Sequence, residues 1–208
     1  METIFTDLYE REFWGSNGHT EYRGSSGSGS DPEFNQPYIT WLRRYIQENR
    51  IQSIVDIGCG DFRCGPHIYT DSEIHYTGID VYKPLIESLQ KEFTEFQFLH
   101  LDCFKEPEQI PSADLYILKD ILQHWSNKEI TEFLERLIQL QKCNAILIIN
   151  CGQQKRKKNI RTGYHRQLSA RFAPLRNFQP QIVLTYETKE VSILTCGGVL
   201  SRNAAIPA

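Results

Sequence analysis

The sequence contains no apolar run approaching the ~18–20 residues that a membrane-spanning helix needs, so no membrane partner is expected. It also has no recognisable leader. The start, "METIFTDLYEREFWG", is acidic and interrupted, unlike a signal or transit peptide, and a cytoplasmic protein is the expectation. There is no Cys-x-x-Cys and no Cys/His pair at zinc spacing. The six cysteines are Cys59 and Cys64, five apart, and Cys103, Cys143, Cys151 and Cys196, scattered singly. Most lie in or beside apolar strand-like runs, where a reduced thiol behaves as a small hydrophobe, and no metal site is expected. Charge of one sign is not in excess either: 23 basic against 26 acidic residues gives −3, with no global pull toward nucleic acid or an anionic membrane. No internal repeat is visible, and no feature assigns an oligomeric state.

What is present is an ordinary globular composition, 40% hydrophobic and 24% charged, in a length that suits one domain with a short appendage. Residues 1–34 form an aromatic-rich N-terminal arm with a Gly-Ser segment, and residues 35–208 form the body. In the body, "QPYITWLRRYIQENR" has helical spacing with Pro37 in its first turn. "IQSIVDIG" then reads as a buried strand feeding the glycines of "GCG". The alternation continues with a strand over 74–80, a helix over 84–93, strands over 96–102 and 113–120, a helix over 126–141 capped by Ser126 or Asn127, and a strand over 144–150. "QIVLTYE" and "VSILTCG", joined by the short "TKE", read as an antiparallel hairpin. The fold class that follows is α/β: a Rossmann-like, doubly wound, mostly parallel sheet with a C-terminal antiparallel hairpin.

In such a sheet, ligands bind beyond the carboxyl ends of the strands. The first strand ends in "VDIGCGDF", where Gly58 and Gly60 permit a sharp turn and close approach of a ligand. Asp56 precedes that turn, Cys59 lies within it and Asp61 follows it. A nicotinamide fingerprint wants a third glycine where this chain has Arg63, so that reading is disfavoured. The second strand ends in Asp80, placed to hold both ribose hydroxyls, followed by Val81; the third ends in Asp102 and Cys103, placed beside an adenine. Carboxylates at successive strand ends point to a nucleoside-bearing cofactor without a pyrophosphate.

Taken in order, "VDIGCGD", "YTGIDV", "FLHLDC", "ADLYILKDILQHW" and the terminal hairpin resemble the class I, seven-stranded S-adenosylmethionine-dependent methyltransferases over roughly residues 35–200. The resemblance implies S-adenosyl-L-methionine as cofactor, with its methionine part near Gly58 and Gly60, its ribose on Asp80 and its adenine beside Asp102 and Cys103. The aromatic arm, the "SSGSGS" segment and "GCGDF" are also similar to a viral and bacterial group of these enzymes, some of them associated with glycan modification. Ser26, Gly27 and Ser28 would then form a wall beside the cofactor, with the arm as a lid. Lys119 stands where that group suggests an arginine, and points at the cofactor or at solvent.

Methyl transfer to a hydroxyl needs a base, and His124 is the candidate, with Asp120 four residues earlier to orient its ring from one helical turn. The competing reading is a packed histidine satisfied by backbone. Trp14 and Tyr22 in the arm are candidate acceptor contacts. So is the segment after the fifth strand, where "QKRKKNIR" puts five basic residues within eight positions; Arg156, Lys157 and Lys158 in it, and Tyr164, His165 and Arg166 just beyond it, are the candidates for acceptor recognition. A solvated surface loop is the competing reading for this run. The acceptor expected is a hydroxyl on a sugar, glycan or other small polar molecule. RNA is the alternative, kept alive by the basic run and disfavoured for DNA by the absence of an Asp/Asn-Pro-Pro-aromatic motif. A catalytically silent cofactor-binding subunit is the non-enzymatic alternative.

Overall fold

The computed structural model describes residues 1–16, 18, 21–70, 72–153, 155 and 158–196. The chain divides into two compact units, Met1–Ile110 and Pro111–Ala208. Its seven strands, β1 (Ser53–Ile57), β2 (His75–Asp80), β3 (Gln97–His100), β4 (Ala113–Lys119), β5 (Cys143–Cys151), β6 (Gln181–Tyr186) and β7 (Lys189–Thr195), run in the order β3-β2-β1-β4-β5-β7-β6, and β7 is antiparallel to both its neighbours, the C-terminal hairpin that the sequence pattern predicts.

The first unit opens with α1 (Glu2–Glu10), which the aromatic composition of the arm did not announce as a helix. The Gly-Ser segment is ordered, with one turn of 3-10 helix at Ser28–Ser30. Helix α2 (Gln36–Asn49) starts with Pro37 in its first turn and buries Tyr38, Ile39, Leu42 and Ile46, the stripe its spacing predicts. It stops at Arg50 in the left-handed conformation, whose N–H caps the last turn. Strands β1 (Ser53–Ile57), β2 (His75–Asp80) and β3 (Gln97–His100) pair in parallel, with β2 buried along nearly its whole length. Between them lie α3 (Gly65–Tyr69) and α4 (Lys83–Glu92). Behind the glycine turn, Phe62 packs against Tyr69, Tyr76, Phe93, Phe96 and Phe98 with ring centroids 4.8–6.3 Å apart. A side chain at Gly65 would collide with the Phe62 ring, so the close-packing glycine missing at position 63 is supplied two residues later, where α3 begins.

In the second unit, β4 (Ala113–Lys119) pairs in parallel with β5 (Cys143–Cys151), and α5 (Asn127–Leu140) connects them. Helix α5 carries a full capping box: Ser126 Oγ accepts from Glu129 N–H while the Glu129 carboxylate accepts from Ser126 N–H. The hairpin is β6 (Gln181–Tyr186) and β7 (Lys189–Thr195), irregular between Ile182 and Leu184. Here the sequence reading is corrected. Lys189 and Glu190 are the first residues of β7, both buried, and the turn is confined to Glu187 and Thr188. All six cysteines are free thiols. Among the described residues, no helix is long and apolar enough to cross a membrane.

Candidate functional site

The chemistry-bearing residues divide between the two units. In the first, β1 runs out at Ile57, and the N–H groups of Gly58 and Cys59 both donate to Ile79 O, at 2.7 and 3.0 Å, tying the turn to β2. Gly60 follows with φ 56°, and its N–H donates to Asp80 Oδ2 at 3.2 Å. Asp80 Oδ1 accepts from Tyr82 N–H at 3.1 Å, while Val81 O accepts from His100 Nε2–H at 3.0 Å. The Asp80 carboxyl is buried, and that burial pushes its pKa up against the pull of those two N–H donors. Asp56 accepts the Tyr76 hydroxyl at 3.1 Å. Burial and the neighbouring Asp80 also push the Cys59 thiol up, so it is a neutral filler of the turn.

The Gly-Ser segment forms one side of this turn. Ser26 N–H donates to Asp61 Oδ2 at 3.0 Å, and Asp61 N–H donates back to Ser26 Oγ at 2.8 Å. A Cβ at position 60 would collide with Ser26 Oγ, so a glycine is required there on steric grounds as well as for its positive φ. Gly27 N–H donates to Ser25 Oγ, which in turn donates to Trp14 O. Ser28 begins the 3-10 turn. Tyr9 stacks on Tyr82 at 4.7 Å and takes the Trp14 ring edge-on at 5.3 Å. Trp14 is therefore half-buried and Tyr22 fully buried within the first unit.

Asp102 Oδ2 accepts from the Met1 ammonium at 2.8 Å and from Glu2 N–H at 3.0 Å, and its Oδ1 from Phe104 N–H at 3.2 Å. Burial opposes ionisation of this carboxyl, yet the ammonium and the N–H donors hold its pKa below the ordinary range. The carboxylate is engaged by these donors within the first unit. Cys103 beside it is buried and protonated.

A cofactor with an ammonium and a ribose diol finds complementary groups in this unit. Asp61 Oδ1 is buried with no hydrogen-bond partner among the described residues, an acceptor waiting for a donor. The Asp80 oxygens each take one N–H and retain lone pairs for hydroxyl groups. The donor set fits.

In the second unit, Lys119 ends β4 and Asp120 follows at φ 62°, a left-handed conformation uncommon outside glycine, asparagine and aspartate. The Asp120 carboxylate lies between two ammonium groups, Lys119 Nζ at 2.9 Å from Oδ2 and Lys189 Nζ on Oδ1. Burial resists its ionisation, but Lys119 and Lys189 together hold its pKa down. The helical turn expected to join Asp120 to His124 does not form. Only Leu122–His124 is helical, as one 3-10 turn, and Asp120 turns its carboxylate to the lysines.

His124 is buried at 7% exposure, and its Nδ1 lies 3.2 Å from Tyr164 O. A carbonyl only accepts, so Nδ1 carries the proton and the neutral ring keeps its lone pair on Nε2. Burial first, and then the His165 ring 5.5 Å away, lower the His124 pKa to about 4. His165 is exposed, with its pKa also lowered, and Tyr164 is exposed at 63%. The segment bearing them is fastened to the turn before α5. Gly163 N–H donates to His124 O, Arg166 N–H to Gln123 O, and Thr162 Oγ bonds the Glu129 carboxylate.

Arg166 corrects the sequence reading. Its guanidinium is buried and donates to Asn127 Oδ1, Lys158 O and Trp125 O, so it staples the loop rather than meeting an acceptor. Arg156 and Lys157 lie outside the described residues. Among the described residues, no group of His, Cys, Asp and Glu side chains is arranged to hold a metal ion.

A family model for the O-methyltransferase domain matches residues 42–172, which spans both the glycine turn and the Lys119–Arg166 region. The chain belongs to the O-methyltransferase domain family. No curated protein sequence matches it. Solved structures similar to it include human N-acetylserotonin methyltransferase in complex with SAM, at 17% identity and TM-score 0.56, covering 76% of this chain and 54% of that one. The mitomycin 7-O-methyltransferase MmcR aligns at 17% identity and TM-score 0.57, with the same coverage. Magnesium protoporphyrin IX methyltransferase (ChlM) from Synechocystis PCC 6803, with bound SAM, aligns at 13% identity and TM-score 0.60, covering 92% of this chain and 95% of that one. This chain thus spans just over half the length of the first two enzymes. At such identities the likeness is one of fold. The fold it shares with them is the class I, Rossmann-like one.

Proposed function

We propose that this O-methyltransferase methylates a hydroxyl on a sugar, glycan or other small polar acceptor, with His124 taking the hydroxyl proton. When bound, the cofactor supplies a methyl group already activated on a sulfonium. The first unit holds it: Asp61 Oδ1 accepts from its ammonium, the Gly58–Gly60 turn lets its methionine part approach the backbone, and Asp80 accepts from its ribose hydroxyls. The adenine end falls to the Val81 and Asp102–Cys103 stretches. Residues 1–34 act as the arm over this turn, and residues 35–208 as the transferase domain.

The observation that carries the reading is the pinned tautomer of His124. With Nδ1–H donating to Tyr164 O, the lone pair of Nε2 is fixed in direction, and the low pKa keeps the ring neutral through the physiological range. The exposed Tyr164 side chain and the His165 ring, 5.5 Å from that of His124, support a sugar acceptor, since aromatic faces stack on the apolar face of a sugar ring. Similar folds named for N-acetylserotonin, mitomycin and magnesium protoporphyrin IX are consistent with a small acceptor.

The test is transfer of a labelled methyl group into sugar nucleotides, free glycans and RNA. The expected result is label in a sugar-bearing acceptor, lost in His124→Gln with cofactor affinity kept. Label only in RNA would overturn the acceptor class, and undiminished turnover in His124→Gln would remove the base.

A further inference from the structure

Lys189 is a buried lysine that the hairpin's polar sequence disguises. It opens β7, opposite Cys151 at the end of β5, with its side chain 3% exposed. From there the ammonium reaches past the end of β5 to Asp120 Oδ1, 69 residues away in sequence, and passes 3.7 Å from Cys151 Sγ. Asp120 N–H extends the β4–β5 ladder by donating to Ile149 O at 2.8 Å. The next bond of that ladder is replaced by the left-handed turn into Leu122–His124. Asp120 turns the chain at φ 62°, and two lysines grip its carboxylate at that turn. Gln123 closes the arrangement from the other side, its Oε1 accepting from Cys151 N–H at 2.8 Å.

We propose that Lys189 is a positioning residue for methyl transfer: by bridging β7 to Asp120 over the end of β5, it holds the left-handed turn that delivers His124. The catalytic consequence rests on His124 as the base; the placement of the ring does not. Lys189 also adds positive charge near both histidines. The groups facing His124 are His165, the Tyr164 carbonyl, Asp120 and Lys189; those facing His165 are Lys189, Asp120 and Lys158. Lysine at 189 opposes protonation of both rings, while Asp120 favours it.

The experiment is Lys189→Met in the full chain, with His124 titrated by NMR of ring-labelled histidine, cofactor affinity by calorimetry, and turnover measured across pH. The expected result is a His124 midpoint raised from about 4, turnover reduced roughly 10- to 100-fold, and unchanged cofactor affinity. Lys189→Arg, which keeps the charge, should recover part of the turnover. If Lys189→Met does not fold, the double variant Asp120→Asn/Lys189→Met removes both members of the pair and is read by turnover alone, since Asp120 and Lys189 shift the His124 midpoint in opposite directions; wild-type turnover there overturns the proposal. A folded variant with both the His124 midpoint and turnover at wild-type values overturns the proposal. A raised midpoint with unchanged turnover reports only the lost charge and overturns the proposal; the base reading fails separately, on undiminished turnover in His124→Gln, so the two failures are distinguishable.

Discussion

Ser26 and Asp61 exchange two hydrogen bonds across 35 residues, backbone to side chain in each direction, and so lock the Gly-Ser segment onto the glycine turn. A stretch with the composition of a flexible linker is a structural wall, because each small side chain there either bonds a neighbour or leaves room for one. Ser26→Ala removes the acceptor for Asp61 N–H and should cost roughly 1–2 kcal/mol, read from the urea midpoint. Gly60→Ala should do more. Its Cβ has no room beside Ser26 Oγ, and φ 56° disfavours any side chain. We expect Gly60→Ala to weaken S-adenosylmethionine binding at least about tenfold by calorimetry, and Ser26→Gly in the same chain to restore part of that loss by removing the collision.

Asp80 lends itself to a separation of binding from stability. Its folded pKa is raised by burial, so ionised Asp80 destabilises the fold above its unfolded pKa, and the stability it contributes is lost as pH rises through the folded value. Asp80→Asn should therefore unfold at pH 7 no earlier than the wild type. Cofactor binding should fall by roughly 10- to 100-fold, the worth of hydrogen bonds from hydroxyls to a charged carboxylate. An unchanged dissociation constant would take Asp80 out of the ribose site.

The order of strands and helices was readable because apolar periodicity and glycine or proline punctuation are local signals. Pro37, Pro84, Ser126 and the "GCG" turn all act where they stand in the chain. Asp80 was readable for the same reason, as a carboxylate ending an apolar strand. Buried charge was not. Lys189 looked like part of a turn and Arg166 like part of a basic surface run. What permits each to be buried is a partner far away: Asp120 for Lys189, and for Arg166 the Asn127 side chain and the Trp125 carbonyl. The bonds from Met1 and Glu2 to Asp102 were equally invisible, spanning about a hundred residues. Pairings at such separation leave no periodic trace.

Arg166 makes the staple role measurable. Replacing its guanidinium by Met leaves the Asn127 side chain and two carbonyls without their donor, which should cost roughly 2–4 kcal/mol and lower the urea midpoint. Because the loop carries Tyr164, the variant should also lose turnover, while S-adenosylmethionine affinity stays near the wild type. Arg166→Lys should recover little, since one ammonium cannot span three acceptors set around a planar fork. A variant with wild-type stability would show that the loop is held without the guanidinium, by Thr162 and the backbone N–H groups of Gly163 and residue 166.

His124 links stability to pH in a direction that can be checked without knowing the acceptor. Its folded pKa, about 4, lies below the unfolded value of about 6.5. A depressed histidine pKa means that the unfolded chain binds the proton first. The stability gained by burying a neutral ring is then complete above about pH 6.5 and is lost as pH falls toward about 4. The wild type should lose urea resistance across that window more steeply than His124→Gln, which has no proton to take up there. If the two curves run parallel between pH 7 and pH 4, the ring is not buried neutral. The pH profile of turnover carries the same signature: activity should hold down to the mid-acid range before the base is protonated, whereas an exposed histidine would fail near pH 6.5.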